Sequence, residues 1–555
     1  MAVNRSELRW NGWGRVRESV ALSEPQQLAV VQALAQRLGV PQTTRRAPVA
    51  IADVDLPPSR LSRGILLELG EAIGPDLVRT SMIERAQHAA GRSLPDLLRL
   101  RSGKLGRAPD AVLYPENAQQ IAAILRLARE HALSVVPFGG GSSVVGGVDP
   151  VCPQGKRAVL SLDTTRLHRL IAIDDQSLTA TFEAGIDGPS LEAELNARGY
   201  TLGHFPQSFE HSTLGGWIAA RSSGQQSDGY GGIDTLLVSA KLVTPRGELS
   251  TLGVPRTATG PDLKEFVLGS EGTLGVIVEA TVRIRHRPAI HDVRGMLFRD
   301  FASGVRAIRA LQASGLPMSM MRLSDARETE LSLLLRRDPS RSFDLTAHVM
   351  QGVRGLGYGE GRCALLLSVE GDEAVRVEAE MLRAQAIGVR HGGLPLGKKP
   401  GESWKKDRFR APYLRDFLLD HGFAIDTMET AFSWSKLEAG HDHVVHAMAE
   451  AARVHAGAGF SMGHISHSYA DGACVYFIVL YPLAAEDVLG QWQAIKRATT
   501  DAIVKSGGTV SHHHGVGLDH VPWMAQEKGQ LGLAAIRALR NAFDPEGMMN
   551  PGKLA

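Results

Sequence analysis

SVVPFGGGSSVVGGV, residues 134–148, decides how the rest of the chain is read. The run SVVPF is short, apolar and β-branched, which is the pattern of a buried strand. It delivers Gly139, Gly140 and Gly141 straight into Ser142 and Ser143. Three glycines let the backbone turn sharply and aim several N–H groups to one side, a nest that suits a diphosphate. The dinucleotide fingerprint G-x-G-x-x-G should instead open a helix and be followed about twenty residues later by an acidic group. Here the loop runs on into VVGGV, a proline and a new strand, and no GK[ST] follows to support ATP binding. Taken alone, the stretch is equally well an ordinary glycine turn.

Two further loops shift that balance. PQSFEHSTLGGWIAARSSGQQSDGYGG (206–232) and GSEGTLGVI (269–277) are long on glycine and small hydroxyls and short on large apolar groups. Irregular stretches of this kind usually line something. Three of them in one domain predict an extended cofactor lying across it, and FAD is long enough to need all three. The predicted contacts are Pro137, Phe138, Gly139, Gly140, Gly141, Ser142 and Ser143 from the first loop. The second loop gives Gln207, Ser208, Ser212, Thr213, Ala220, Arg221, Ser222 and Ser223. The third gives Glu271, Gly272, Thr273, Leu274, Gly275, Val276 and Ile277. No histidine or cysteine lies in 137–148, so noncovalent FAD is expected, with His204 and His211 as the alternative attachment points.

Working outward, 555 residues exceed one hydrophobic core and predict two to four domains. The textures change at three places. They divide the chain into a mainly helical lead (1–106), an α+β FAD-binding domain (107–288), an α+β cap (289–500) and a C-terminal segment (501–555). Within the second, NAQQIAAILRLAREH reads as an amphipathic helix capped by Asn117. A formal charge of +2 gives no reason to expect nucleic acid as a partner. Cys152, Cys363 and Cys474 are odd in number and far apart, which suits a reducing compartment. The amino terminus lacks a secretory apolar region, and no apolar run of 18 residues predicts a spanning helix.

The motifs PFGGGSSV (137–144), EAG (183–185), STLGGWIAA (212–220) and GSEGTLGVI (269–277) resemble the FAD-binding oxidoreductase superfamily of vanillyl-alcohol oxidase and the D-lactate dehydrogenases. A narrower resemblance, to the alkyldihydroxyacetonephosphate synthase family, is carried by RWNGWG (9–14), DTTRLHRL (163–170), TLGHFPQSFEHSTLGGW (201–217), LVTPRGE (242–248), PYLRD (412–416), SYADGACVYF (468–477) and SHHHGVG (511–517). It implies a fold: a two-part FAD domain, an α+β cap, and a C-terminal segment that returns to the flavin. It implies a reaction too. A long-chain alcohol replaces the acyl group of an acyl-dihydroxyacetone phosphate, through an adduct at flavin N5, in ether-lipid synthesis. The competing expectation is a flavin dehydrogenase or oxidase of a 2-hydroxy acid such as D-lactate or glycolate. Those relatives more often carry a single histidine in a GEHG-like segment.

By the same resemblance Tyr469 is the proton-transfer tyrosine, Arg415 the arginine that binds substrate, and Arg322 a further active-site arginine. A phosphate-bearing substrate favours the forked, permanently charged guanidinium. If 511–517 is extended, His512 and His514 face one way and His513 the other. His513 and His514 are then assigned to catalysis and His512 to substrate. No metal is expected, because SHHHG lacks the acidic ligand of GEHG, and GHDHVVH (440–446) reads as a polar helix face. An acyl chain and a fatty alcohol need an apolar tunnel, to which DFLLDHGFAI (416–425) and MMRL (320–323) are candidates. A homodimer is expected, with peripheral membrane contact at the tunnel mouth; because the sequence ends PGKLA and not in the SKL-like address of peroxisomal relatives, a cytoplasmic enzyme is expected.

Overall fold

The computed structural model describes residues 5–41, 46–336 and 352–554. The chain builds three principal sheets, and the first two belong to the flavin half. In the four-stranded sheet the order is Val78–Arg79, Ala111–Leu113, Val159–Asp163, Ser134–Phe138, and Val159–Asp163 runs parallel to both neighbours. The helix Ala118–Glu130 crosses between two of these strands. Asn117 caps it, its side chain accepting from Gln120 N at 2.9 Å, and Ile121, Ile124, Leu125 and Ala128 bury one face.

The five-stranded antiparallel sheet orders as Leu170–Asp174, Thr179–Glu183, Val276–Arg283, Leu237–Thr244, Gly247–Ser250. Residues 107–288, expected as one α+β domain, thus contribute to both of these sheets and add a two-stranded one, Tyr200–Thr201 with Arg285–His286. The third loop enters Val276–Arg283, the central strand of the second. The chain also returns at its end: Val135 N donates to Met548 O and Asn550 N to Val135 O, at 2.9 and 2.8 Å, while Met548, Met549 and Lys553 are fully buried.

The seven-stranded antiparallel sheet is ordered Leu394–Gly397, Ile290–Phe298, Cys363–Gly371, Met318–Ser324, Phe460–Ser468, Gly472–Pro482, Phe423–Ser433. Strand side chains alternate between faces. Val475, Phe477 and Val479 sink into the core with Leu323, Leu365, Leu367 and Ile465. Tyr476, Ile478, Arg322, Leu366, His464 and Thr427 face the other way and wall a cavity. A register shift between Ile465 and His467 adds both Ser466 and His467 to that wall.

One helix departs from expectation. GHDHVVH lies in Trp434–Ala456, but His441 is buried rather than on a polar face. Its ring stacks on Phe301 at 4.2 Å and its Nε2 lies 3.3 Å from Asp325. Among the described residues, no helix is long and apolar enough to cross a membrane.

Candidate active site

A cavity of about 530 Å³ lies where the three small-residue loops meet the wall of the seven-stranded sheet. Its lining takes in all seven predicted residues of 137–143, with Gln207, Ser208, Ser212, Thr213, Ala220, Ser222, Ser223, Glu271, Gly272, Gly275, Val276 and Ile277. Three predicted contacts lie elsewhere. Arg221 closes a helix in the left-handed region and reaches Glu265 at 2.9 Å. The Thr273 hydroxyl donates to Ser270 O within its own turn, and Leu274 packs into the core. All three border a second, smaller cavity instead.

The loops fit an extended dinucleotide. A Cβ on Gly140 would stand 1.7 Å from His211 O and 2.8 Å from Ser212 Cα, both backbone atoms, so the first two loops touch only because residue 140 has no side chain. Gln225 Oε1, Arg415 Nε and Asn550 Oδ1 belong to lining residues, yet are buried and have no protein partner. Unmatched polar atoms at such a place mark a ligand's ground. His204 and His211 are absent from the lining. His204 Nε2 instead bonds the Ser222 hydroxyl at 2.7 Å. Gly140→Ala should yield protein with at least tenfold less bound FAD, measured as the flavin-to-protein absorbance ratio after purification, because neither backbone can withdraw.

The catalytic wall differs from the sequence assignment. Tyr469 follows the strand Phe460–Ser468, is 42% exposed and does not line the cavity. Its hydroxyl bonds His512 Nε2 at 2.6 Å. Tyr476, seven residues on, lies in register between Glu429 and His464 of the two adjacent strands. It is part of the cavity wall, stacks on His464 at 5.1 Å, and sits 6.0 Å from the His513 ring. Burial pushes its hydroxyl up to about 12, against the Thr427 hydroxyl and the Arg415 charge, which draw it down. It is a proton-bearing phenol at neutral pH.

Residues 511–517 are not extended. The loop wraps around the buried carboxylate of Glu429, which accepts from Ser511 Oγ (2.6 Å), His512 N (2.5 Å), His513 N (3.3 Å) and His514 N (2.9 Å). The expected split by alternation is thereby overturned. His513 and His514 face the large cavity together, and His512 borders a second cavity of about 360 Å³ on the far side of the loop. The acidic partner that the local sequence lacks is Glu429, supplied from Phe423–Ser433. Burial lowers all three imidazoles to about 4, the nearby Glu429 charge notwithstanding. Burial opposes ionisation of Glu429, but the surrounding imidazoles and the Ser511 hydroxyl hold its carboxyl well below the usual range. His467, Cys474, His512 and His513 bring one donor atom each within 4.8 Å of one another, a grouping that none of the histidine spacings had announced.

Arg322 donates to Glu328 at 2.7 Å and lies 3.2 Å from His464 Nδ1, so it braces the ring on which Tyr476 stacks. Burial alone would raise Glu328; the Arg322 charge and His464 hold it far below the ordinary range. Arg415, on Ala411–Asp420, lines the cavity and acts electrostatically on both Tyr476 and His514. Met320, Leu366, Ile425, Ile478 and Trp404 make part of the lining apolar, and Met320 and Ile425 come from the two predicted tunnel stretches. Trp13, Trp404, Arg408, His464, His467 and Tyr476 are lining residues that the sequence reading missed. For Tyr476 a signal existed, since alternation along Gly472–Pro482 places it opposite the core residues Val475 and Phe477.

Two family models match the chain: the FAD binding domain over residues 109–253 and the C-terminal domain of FAD linked oxidases over 287–554. The alkyldihydroxyacetonephosphate synthase of Dictyostelium discoideum is 32% identical over 573 residues, spanning 99% of this chain and 93% of that one. The synthase of Trypanosoma brucei brucei is 33% identical over 570 residues, spanning 99% and 92%. A solved alkyldihydroxyacetonephosphate synthase superposes with a TM-score of 0.84 at 30% identity, covering 99% of both chains. A p-cresol methylhydroxylase, at 15% identity and a TM-score of 0.68, shares the fold.

Proposed function

The chain belongs to the alkyldihydroxyacetonephosphate synthase family, within the FAD-linked oxidase fold, and from that premise we propose that it exchanges the acyl group of an acyl-dihydroxyacetone phosphate for a long-chain alcohol. It is an FAD-dependent enzyme of the alkyl-transferase type. One observation carries the specific reading. A single cavity combines an arginine with an unpartnered Nε, a half-buried tyrosine among neutral imidazoles, and an apolar wall. A phosphate, an exchangeable proton and an alkyl chain are the three demands of that substrate.

Bound FAD supplies the centre that holds the dihydroxyacetone carbon while one chain leaves and the other enters. The protein's share is placement and proton handling. Arg415 offers a fork of donors to the phosphate. Tyr476 carries a proton in the wall of the cavity, where it can donate it as the acid leaves and take one back from the entering alcohol; the Arg415 charge and the Thr427 hydroxyl, which draw its proton affinity down, favour that transfer. His513 and His514, kept neutral by burial, can each donate and accept within the same wall. Arg322 and Glu328 fix His464, and so the face of the tyrosine ring.

Incubating the flavin-loaded protein with labelled acyl-dihydroxyacetone phosphate and hexadecanol tests the reading. Alkyl product and free acid should appear in equal amounts with no external electron acceptor. Bleaching of the flavin by D-lactate or glycolate, without exchange, would assign the chain to 2-hydroxy-acid chemistry instead.

A further inference from the structure

The segment from Arg5 to Glu18 belongs to neither the flavin half nor the cap, yet it is fastened to both. It folds back on itself, Arg9 N donating to Gly14 O and Val16 N to Glu7 O at 2.9 and 2.8 Å. At one end Arg5 donates to buried Asp163 and to Gly139 O, both at 2.5 Å, and lies over the Phe138 ring. It thereby grips the first flavin loop. At the other end Trp13 N donates to Asp416 Oδ2 at 2.6 Å, and Tyr413 bonds Glu18. Those partners sit on Ala411–Asp420, the helix that carries Arg415. Between the two ends, the Trp13 side chain is 4% exposed and lines the cavity.

We propose that residues 5–18 are a strap that positions Arg415, with Asp416 as its latch. Successive residues on a helix leave the axis about 100° apart, so fixing Asp416 fixes the direction in which Arg415 departs. Arg415 Nε has no protein partner of its own, so its aim depends on the backbone that carries it. The latch is closely fitted: a Cβ on Gly12 would stand 2.4 Å from Asp416 Oδ2, and one on Gly14 2.3 Å from the Tyr413 ring. Because the other end holds Gly139 O, the strap ties the arginine's position to the flavin loop. Asp416 and Gly12 are positioning residues; neither lines the cavity.

The proposal rests on the reading of Arg415 as the phosphate ligand, and its test separates the two. In the flavin-loaded enzyme, Gly12→Ala and Asp416→Ala should each raise KM for acyl-dihydroxyacetone phosphate about tenfold with kcat within about twofold, and leave FAD affinity unchanged. Asp416→Asn, which can still accept from Trp13 N, should restore most of the loss. Hydrogen exchange over Ala411–Asp420 reads the strap without any chemistry, and Gly12→Ala should speed it at least tenfold. Unchanged exchange there overturns the strap. So does a parallel fall in FAD affinity and thermal midpoint for both Asp416 variants, which would mark a merely structural role. If Arg415→Lys leaves KM unchanged, the phosphate assignment fails, and the exchange measurement alone judges the strap.

Discussion

Tyr476→Phe is expected to lower the exchange kcat by about 10²- to 10⁴-fold, the range for loss of a positioned proton-transfer group, while FAD stays bound. The phenyl ring keeps the stack on His464 and the contacts with His513 and His514, so the loss isolates the hydroxyl. That hydroxyl belongs to a half-buried residue of the lining, and its raised proton affinity keeps it protonated at neutral pH. Tyr469→Phe is the contrast. Its hydroxyl serves His512 from a half-exposed position outside the lining, and its removal should cost less than about tenfold. Steady-state exchange rates and flavin spectra for the two variants decide the matter. A collapse in Tyr469→Phe with full activity in Tyr476→Phe would restore the tyrosine that the motif alone suggested.

That exchange of tyrosines shows where the sequence stops being legible. Both residues lie in SYADGACVYF, and a motif comparison cannot choose between them. The choice is made by the turn between Phe460–Ser468 and Gly472–Pro482, which leaves Tyr469 at the connection and puts Tyr476 in mid-strand. The flavin loops were legible because their chemistry is local: glycines and small hydroxyls announce a backbone that must approach something closely. The histidine loop was misread because its conformation is set by Glu429, more than eighty residues earlier, and no local periodicity encodes that partner. Trp13 was missed for the same reason. Its polar, glycine-containing surroundings, RWNGWG, say nothing of an attachment to Asp416, four hundred residues away.

Glu429→Ala should have the second large effect, on both stability and rate. The carboxylate is fully buried and takes the Ser511 hydroxyl and three successive backbone N–H groups. Deleting it strands three donors around a hole, His514 N keeping Ser511 Oγ as acceptor, and each buried unsatisfied group costs about 1–3 kcal/mol, so a loss of roughly 3 kcal/mol or more is expected. Because the same N–H groups orient His512, His513 and His514, relaxation moves the imidazoles, and kcat should fall at least about 100-fold, as when positioning is lost near reacting atoms. Glu429→Gln refines the argument. One amide oxygen can still accept, but the NH₂ group must face a donor, so its stability should fall between wild type and alanine. Chemical denaturation and exchange kinetics on the flavin-loaded variants measure both quantities. An alanine variant with wild-type stability and rate would mean that the loop holds its shape through Glu271, which accepts from Val516 N and, at 2.8 Å, from Gly517 N, and that Glu429 is dispensable. The geometry argues otherwise, since Glu271 anchors only the far end of the loop, while at the other end Glu429 accepts from the N–H groups of all three histidines and Ser511 Oγ backs it up at His514 alone.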